Sequence, residues 1–465
     1  MKKVISIALL ASMLGMNFVP VFAMTSSNES TKTPKQFKSM IKKSKKQKSN
    51  DYKYAYVNTV WWNNFNDANL SGYIDKAIKN NYDLKMATLA VEEYYQNTKL
   101  QFANELPQIG VGFAPYYTKI PGASWDWGFA TPAYVNYEAD IFLKNRDKTK
   151  SVKKLYEASQ FDERAAYISV ASAVGTTYLN IVRLNKIIDL QKQIVNLRQD
   201  IYNLMLSSNK EGLISTADTV KANKSLVVGQ TDLIELQKQQ KKLLHSFAVL
   251  IGESPENVNE LAFTPYDQIR FTGNIPTEIS SDIIVQRPDY LRAEKMLEKA
   301  GIDVRVAKKE FLPSINITGI ALFNSSEIGS AWSTGSMLGS LAAGAMLPLF
   351  TGGKRVANLR LKKTTYERML QDYYKTNLTA IQEVNDALVS VKLDKEKMAE
   401  TQKQAALERK DFSYNQKKFN QGTISRLDLI QVQENLLSID KLVAQQNIEC
   451  MVDYIGLYKS VGSKL

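Results

Sequence analysis

Two stretches of this chain carry the same landmarks in the same order. The spacing from Asp83 to Pro107 in the first stretch equals the spacing from Asp289 to Pro313 in the second. A Gly-x-Ile-Ser tetrapeptide follows each of these pairs at a similar distance. Because several landmarks keep both their order and their spacing, the sequence predicts a tandem duplication.

The duplication divides most of the chain into three parts. Residues 54–253 are predicted to form the first structural repeat, and residues 284–465 are predicted to form the second. The stretch 254–283 is predicted to be a linker, because Pro255 and Pro265 lie within it and proline disfavours a continuous helix.

Each repeat is predicted to contain a helix, two strands, a very long helix and a further long helix. Apolar residues at every second position place strands at about 108–119 and 125–142, and again at about 314–323 and 336–350. Proline tolerates a strand end but not a helix interior, and glycine permits a sharp backbone junction. The predicted junctions between strands and helices are Pro107, Pro313, Pro348, Gly352 and Gly353.

The helices are too long for an ordinary globular domain. Residues 144–209 and 354–420 contain no proline, and each stretch would span on the order of 100 Å as a helix. Apolar residues recur along them with alternating spacings of four and three, which is the pattern of a coiled coil. Such helices need copies of the chain, or partners, beside them. The first stripe is Val170, Val174, Thr177, Ile181, Leu184 and Ile188.

The strands lead to the same requirement. Four strands cannot close into a barrel, since about eight strands form the smallest closed membrane barrel. Closure must therefore come from several chains. The predicted fold is mainly α-helical with a β-barrel portion, in which a barrel that is shared among subunits continues into a tube of helices.

The N-terminal residues are predicted to direct export. Residues 1–23 combine a short basic start, an apolar run and a terminal Ala23, which is typical of a cleaved signal peptide. Residues 24–53 are rich in lysine and account for much of the formal net charge of +13. A disordered, solvated tail is predicted there, although such a run could also bind nucleic acid or anionic lipid. Cys450 is the only cysteine, so no disulfide can form within one chain and no lipid can be attached at the cleavage site.

An enzyme is the competing hypothesis, and the sequence offers little for it. His245 is the only histidine and lies outside any motif. The chain contains no GxSxG, P-loop or HExxH motif, and its 13 methionines form no spaced cluster that would bind a soft metal. We therefore expect no catalytic residue, no cofactor, no metal site and no nucleic-acid partner.

Several motifs resemble those of one family. Gln286-Arg287-Pro288-Asp289, Ala293-Glu294, the run 311–315 and the run 348–353 resemble the TolC-like bacterial outer-membrane efflux proteins, in the branch that serves resistance-nodulation-division pumps. The resemblance covers about residues 60–463. It implies a homotrimer whose twelve strands form one barrel in the outer-membrane lipid of a Gram-negative bacterium, with a helical barrel crossing the periplasm. The missing lipid-bearing cysteine departs from many members of this branch, so anchoring would rest on the barrel alone.

The same resemblance implies a function. The chain would be the passive exit duct of a tripartite efflux pump, exporting small molecules, with a periplasmic adaptor protein and an inner-membrane pump of the resistance-nodulation-division type as partners. An alternative is the outer-membrane component of a type I protein secretion system. A trimeric coiled-coil scaffold or adhesin would share the heptads, but it does not predict paired hairpins at matching positions of two repeats.

The resemblance also implies site residues. The turns between the long helices of each repeat would be periplasmic tips that dock the adaptor, although the same residues would also make well-formed turns. Asp428 would narrow the pore near the second tip, with Gln431 in the second position of a half-matched acidic pair and Arg426 nearby; a plain solvent-facing Asp428 is the alternative. The tip residues are Gly212, Leu213, Ile214, Ser215, Gly422, Thr423, Ile424 and Ser425.

Overall fold

The computed structural model describes residues 61–119, 121–122, 124–275, 279, 281–330 and 333–462. The predicted signal peptide 1–23 and lysine-rich tail 24–53 lie outside the described residues. The fold is mainly helical, as predicted. The helices are α1 (Ala68–Asn80), α2 (Tyr82–Ala103), α3 (Lys144–Lys210), α4 (Thr216–Leu250), α5 (Pro288–Lys309), α6 (Lys354–Asn420) and α7 (Arg426–Val461).

Helix α3 lies at the centre of the helical packing. It contacts α1, α2, α4, α5 and α7. Val170, Val174, Ile181, Leu184 and Ile188 of the predicted stripe are all buried along it. The helix is long and apolar enough to cross a membrane, yet most of its apolar segment is buried against other helices. Burial of this stripe against neighbouring helices stabilises the middle of α3, which is continuous over 67 residues.

The main apolar core forms where the predicted linker folds back on the helices. Tyr178 of α3 is fully buried, and its hydroxyl donates to Asp67 Oδ2 at 2.8 Å while accepting from the Thr264 N–H at 3.0 Å. Trp61 stacks on Tyr458 of α7 with ring centroids 5.9 Å apart. The linker itself contains short 3-10 turns at Pro255–Glu260, Tyr266–Gln268 and Ser281–Gln286. This core joins elements from both halves of the chain.

One antiparallel sheet contains the strands. They are β1 (Gln108–Val111), β2 (Ala114–Lys119), β3 (Trp125–Ala139), β4 (Ser314–Ser325) and β5 (Met337–Met346). The order is β1-β3-β4-β5, and β2 also pairs with β3. The first hairpin therefore lies beside the second through the β3–β4 ladder.

The observed strands differ from the predicted ranges in ways that local chemistry explains. The predicted strand 108–119 is interrupted between β1 and β2, because Pro132 lies opposite and has no N–H to donate, although Gly112 still donates to its carbonyl at 2.8 Å. The predicted strand 125–142 ends at Ala139, since Asp140 turns to cap α3. The predicted strand 336–350 ends at Met346, which pairs with Ser314, the first residue of β4. The predicted strand 314–323 continues to Ser325.

The Gln-Arg-Pro-Asp motif at residues 286–289 joins three helices. Arg287 is 6% exposed and immediately precedes α5, which begins at Pro288. Its guanidinium donates to Asp289 Oδ2 at 2.7 Å, to Glu383 of α6 and to the backbone carbonyl of Ser460 in α7. A buried guanidinium is stable only with such partners. The motif therefore has a structural role where these helices meet.

Candidate channel and docking sites

The sheet has two chemically different faces. Paired residues of antiparallel strands lie on the same face, and successive residues alternate between faces. On the apolar face, Val135 and Tyr137 of β3 pair with Gly319 and Ile317 of β4. On the polar face, the corresponding residues of these strands and of β1 are Gln108, Asn136, Glu138, Asn316 and Thr318. Such alternation suits a wall with lipid on one side and water on the other.

Aromatic side chains gather at the end of the sheet that is distant from the helices. Tyr117 packs against Trp125 and Trp127 with ring centroids 5.0 and 4.8 Å away. Trp125 and Trp127 are 55% and 61% exposed on the apolar face. Exposed tryptophan and tyrosine are typical of the boundary between a bilayer and water.

The sheet has open edges within the described residues. Strand β5 pairs with β4 alone, and all its residues are exposed. Strands β1 and β2 pair with β3 alone. An exposed strand edge with unpaired N–H and C=O groups is a template for pairing with another chain.

The predicted strand-helix junctions lie at the ends of the sheet. Pro107 and Pro313 each occupy the position immediately before a strand. Pro348 lies in the connection between β5 and α6, and Gly352 and Gly353 have φ angles of +59° and +80° just before α6. Positive φ is strained for residues with a Cβ, so this junction favours glycine, whereas Leu143 adopts a φ of +57° immediately before α3 at the first junction.

At the first junction, between β3 and α3, a side chain caps the start of the helix. Asp140 accepts hydrogen bonds from the backbone N–H groups of Lys144 and Arg146 at 2.6 and 2.8 Å. Buried Asp147 accepts from Lys309 of α5 at 2.8 Å. Although burial alone would raise its pKa, the Lys309 hydrogen bond and nearby cations lower the pKa of Asp147 below its usual value.

The two predicted tips have nearly identical backbone geometry. Gly212 and Gly422 follow α3 and α6 with φ angles of +73° and +70°. The residues after them, Leu213 and Thr423, donate backbone hydrogen bonds of 2.9 Å to carbonyls in the last helical turn. This arrangement is the Schellman motif, which satisfies carbonyls at a helix end. Leu213 is 71% exposed, whereas Ile214 and Ile424 are half-buried.

Serine and aspartate begin the helix after each tip. The Ser215 hydroxyl lies 3.2 Å from the Asp218 N–H and 2.7 Å from its carboxylate. At the second tip, Asp428 donates from its N–H to the Ser425 hydroxyl at 3.1 Å, and its Oδ2 accepts from the Ser425 N–H at 3.0 Å. These contacts form a capping box, and Asp218 is the counterpart of Asp428.

The predicted constriction residues do not form one cluster in a single chain. Asp428 is exposed, and hydrogen bonds from the side chain and backbone of Ser425 lower the pKa of its carboxyl, so it remains ionised at neutral pH. Arg426 instead lies 3.6 Å from Asp200 of α3. Gln431 is exposed, and no hydrogen bond among the described residues joins it to Asp428 or Arg426.

Sequence reasoning missed a stronger link between the two helical hairpins. Arg198 of α3 donates through Nε to Glu434 Oε1 of α7 at 2.9 Å and through Nη1 to the Ser225 carbonyl of α4 at 3.0 Å. Both partners of the ion pair are mostly buried, at 20% and 14% exposed. Lys441 of α7 also donates to Gln191 of α3 at 2.7 Å. We call Arg198 and Glu434 the hairpin latch. No local pattern could have identified it, because its partners lie far apart in sequence.

Comparison with known proteins agrees with this geometry. The family model described as "Outer membrane efflux protein" matches residues 73–253 and 279–463. The probable efflux pump outer membrane protein TtgC of Pseudomonas putida is 25% identical over 411 residues, covering 86% of this chain and 84% of TtgC. The cation efflux system protein CusC of Escherichia coli K12 is 24% identical over 416 residues, covering 88% of this chain and 89% of CusC.

A solved structure has the same fold. The crystal structure of the Campylobacter jejuni CmeC outer membrane channel superposes with a TM-score of 0.79 at 24% identity, covering 88% of each chain. The chain belongs to the outer membrane efflux protein family. Membership places it in the outer membrane, with its helices extending into the periplasm.

Proposed function

We propose that three copies of this chain form a passive exit duct of a tripartite efflux system, through which small molecules cross the outer membrane. The observation that carries the proposal is a sheet with one apolar face, one polar face and two open edges. Pairing of β5 with the β1–β2 edge of the next copy closes the sheet without unpaired edges. Counting β1 and β2 as one run, three copies supply twelve strands.

Unpartnered apolar side chains on the helices support the same assembly. Leucines along α6 are exposed on a single chain, although a long helix in a folded protein normally buries its apolar stripe against a neighbour. The side chains of α6 and α4 that neighbouring copies would cover include Leu361, Leu378, Leu393, Leu407, Val220, Val227 and Ile234. In this arrangement the two repeats of each chain supply adjacent segments of the helical tube.

The tips are the proposed docking site for a periplasmic adaptor, which would join the duct to an inner-membrane pump of the resistance-nodulation-division type. Both tips contain a Schellman turn, and no heavy atom would lie within 4 Å of a Cβ added to its glycine. Open backbone at a helical hairpin end permits close approach by a partner. The adaptor would contact residues 212–215 and 422–425.

Asp428 is the proposed pore constriction in this assembly. Its Oδ2 accepts hydrogen bonds from the N–H and the hydroxyl of Ser425, whereas its Oδ1 has no hydrogen-bond partner among the described residues. Threefold symmetry would bring three such ionised carboxylates around one axis, where they would attract cations. Arg426, through Asp200, would hold this segment against α3.

The channel and its constriction can be tested together in planar bilayers, using Asp218 as the matched control. Asp428→Ala and Asp218→Ala each remove a carboxylate that accepts from the hydroxyl of the N-cap serine, so both weaken the cap of the helix that follows the tip. We expect the parent to conduct with a preference for cations, and only Asp428→Ala to weaken block by divalent cations. A non-conducting parent would contradict the duct. Identical block in both variants and the parent would place Asp428 outside the lumen.

A further inference from the structure

Two tyrosines lie flat on the polar face of the sheet, each over a glycine of the neighbouring strand. Tyr134 of β3 pairs with Gly110 of β1, and Tyr116 of β2 pairs with Gly128 of β3. A Cβ at Gly110 would lie 2.6 Å from Cε1 of Tyr134, and one at Gly128 would lie 2.9 Å from Cε1 of Tyr116. Real Cβ atoms essentially never approach closer than 3.0 Å. Each ring therefore occupies space that only glycine leaves free.

A hydrogen bond fixes one of these rings along the wall. The Tyr116 hydroxyl donates to Asn324 Oδ1 of β4 at 2.6 Å. The side chain thus begins on β2, crosses β3 at Gly128 and ends on β4. Tyr116 is half-buried and Gly128 is buried, although the face around them is open in a single chain.

Side chains in strands ordinarily stand roughly perpendicular to the sheet. A tyrosine in that orientation on the polar face would extend into the space that the face encloses. Aromatic rings that cover cross-strand glycines also stabilise sheets, so the same pairs have a structural effect. The missing Cβ atoms let both rings lie against the wall, and the hydrogen bond to Asn324 holds the ring of Tyr116 there.

We infer that the Tyr116–Gly128 and Tyr134–Gly110 pairs set the width of the barrel lumen by keeping six aromatic rings, two from each of three chains, flat against its wall. The inference rests on the proposed function, because the polar face lines a lumen only when three chains close the barrel. It assigns these four positions to size selection within the barrel, separate from any constriction at the tips.

Gly128→Ala tests the inference, because the new methyl group displaces the ring of Tyr116 from the wall into the lumen. A double variant, Gly128→Ala with Tyr116→Ala, removes the displaced ring. The measurement is the largest nonelectrolyte polymer that enters the barrel of trimers inserted in a bilayer. The polymer is added on the side where β2 ends at Lys119 and β3 begins at Trp125. We expect Gly128→Ala to lower the polymer mass cut-off roughly twofold and the double variant to restore at least the parental cut-off. Gly344→Ala is the control, because Gly344 lies on the same face with nothing within 4 Å of an added Cβ.

Removing the ring of Tyr116 relieves the clash as well as the narrowing, so the two effects are measured separately. Thermal dissociation of the trimer reports stability, and the polymer cut-off reports lumen width. If Gly128→Ala prevents assembly, Gly110→Ala with and without Tyr134→Ala repeats the test on the second pair. A conducting parent whose glycine variants keep the parental cut-off would overturn the inference alone. A parent that forms no channel would overturn the duct, and the inference with it.

Discussion

Gly422→Glu and Gly212→Glu are each expected to abolish export while leaving the trimer in the outer membrane. Both glycines have positive φ angles at the tips, a conformation that costs other residues about 1–2 kcal/mol. Nothing lies within 4 Å of an added Cβ, so the glutamate side chain would extend from the tip and block close approach by an adaptor. Drug susceptibility of cells that carry each variant, with the trimer quantified in outer membranes, measures the effect.

Asparagine at the same positions is the control for backbone strain. Asn tolerates the left-handed conformation better than other residues with a Cβ, and it carries no charge. Gly422→Asn should therefore retain much of the export that Gly422→Glu loses. Unchanged drug resistance in both glutamate variants would show that the tips are turns without a docking role.

Arg198→Ala is expected to raise the open probability of the channel on the order of tenfold. Hydrogen bonds to charged groups contribute about 1.5–3 kcal/mol, and each 1.4 kcal/mol changes an equilibrium tenfold. The hairpin latch joins α3 to α7, so its loss frees the second helical hairpin from the first at the tip end. Single-channel recordings of the purified trimer measure the change.

A second ion pair provides the matched control for the latch. Arg409 donates to Asp440 at 2.7 Å, but this contact joins α6 to α7 within one hairpin. Arg409→Ala should therefore leave the open probability near that of the parent. Arg198→Glu combined with Glu434→Arg should restore the parental open probability. Equal open probabilities in Arg198→Ala and the parent would show that the latch does not restrain opening.

The sequence predicts those features of the fold that depend on local periodicity. The stripe from Val170 to Ile188 predicts a buried face, and burial against neighbouring helices provides it. Prolines and glycines mark the chain reversals, because their backbone restrictions act within a few residues. The sequence does not predict the end of β3 at Ala139, since Ile141 continues the apolar alternation while Asp140 already caps α3.

Features that depend on tertiary contacts could not be predicted. The lumen-facing position proposed for Asp428 depends on such contacts, whereas its capping contact with Ser425 follows from a local Ser-x-x-Asp pattern that recurs at Ser215 and Asp218. Arg198 and Glu434 lie 236 residues apart and show no shared pattern. The placement of Tyr116 over Gly128 depends on the strand register, which alternation alone does not fix.

The native mass of the purified, detergent-solubilised protein tests the central claim most directly. Closure of the sheet requires further copies, because one chain leaves β5 and the β1–β2 edge unpaired, and the proposed number of copies is three. We expect a single species with three times the mass of the mature chain that loses strand content when it dissociates. A stable, folded monomer with full strand content would contradict the shared barrel and the duct that it forms.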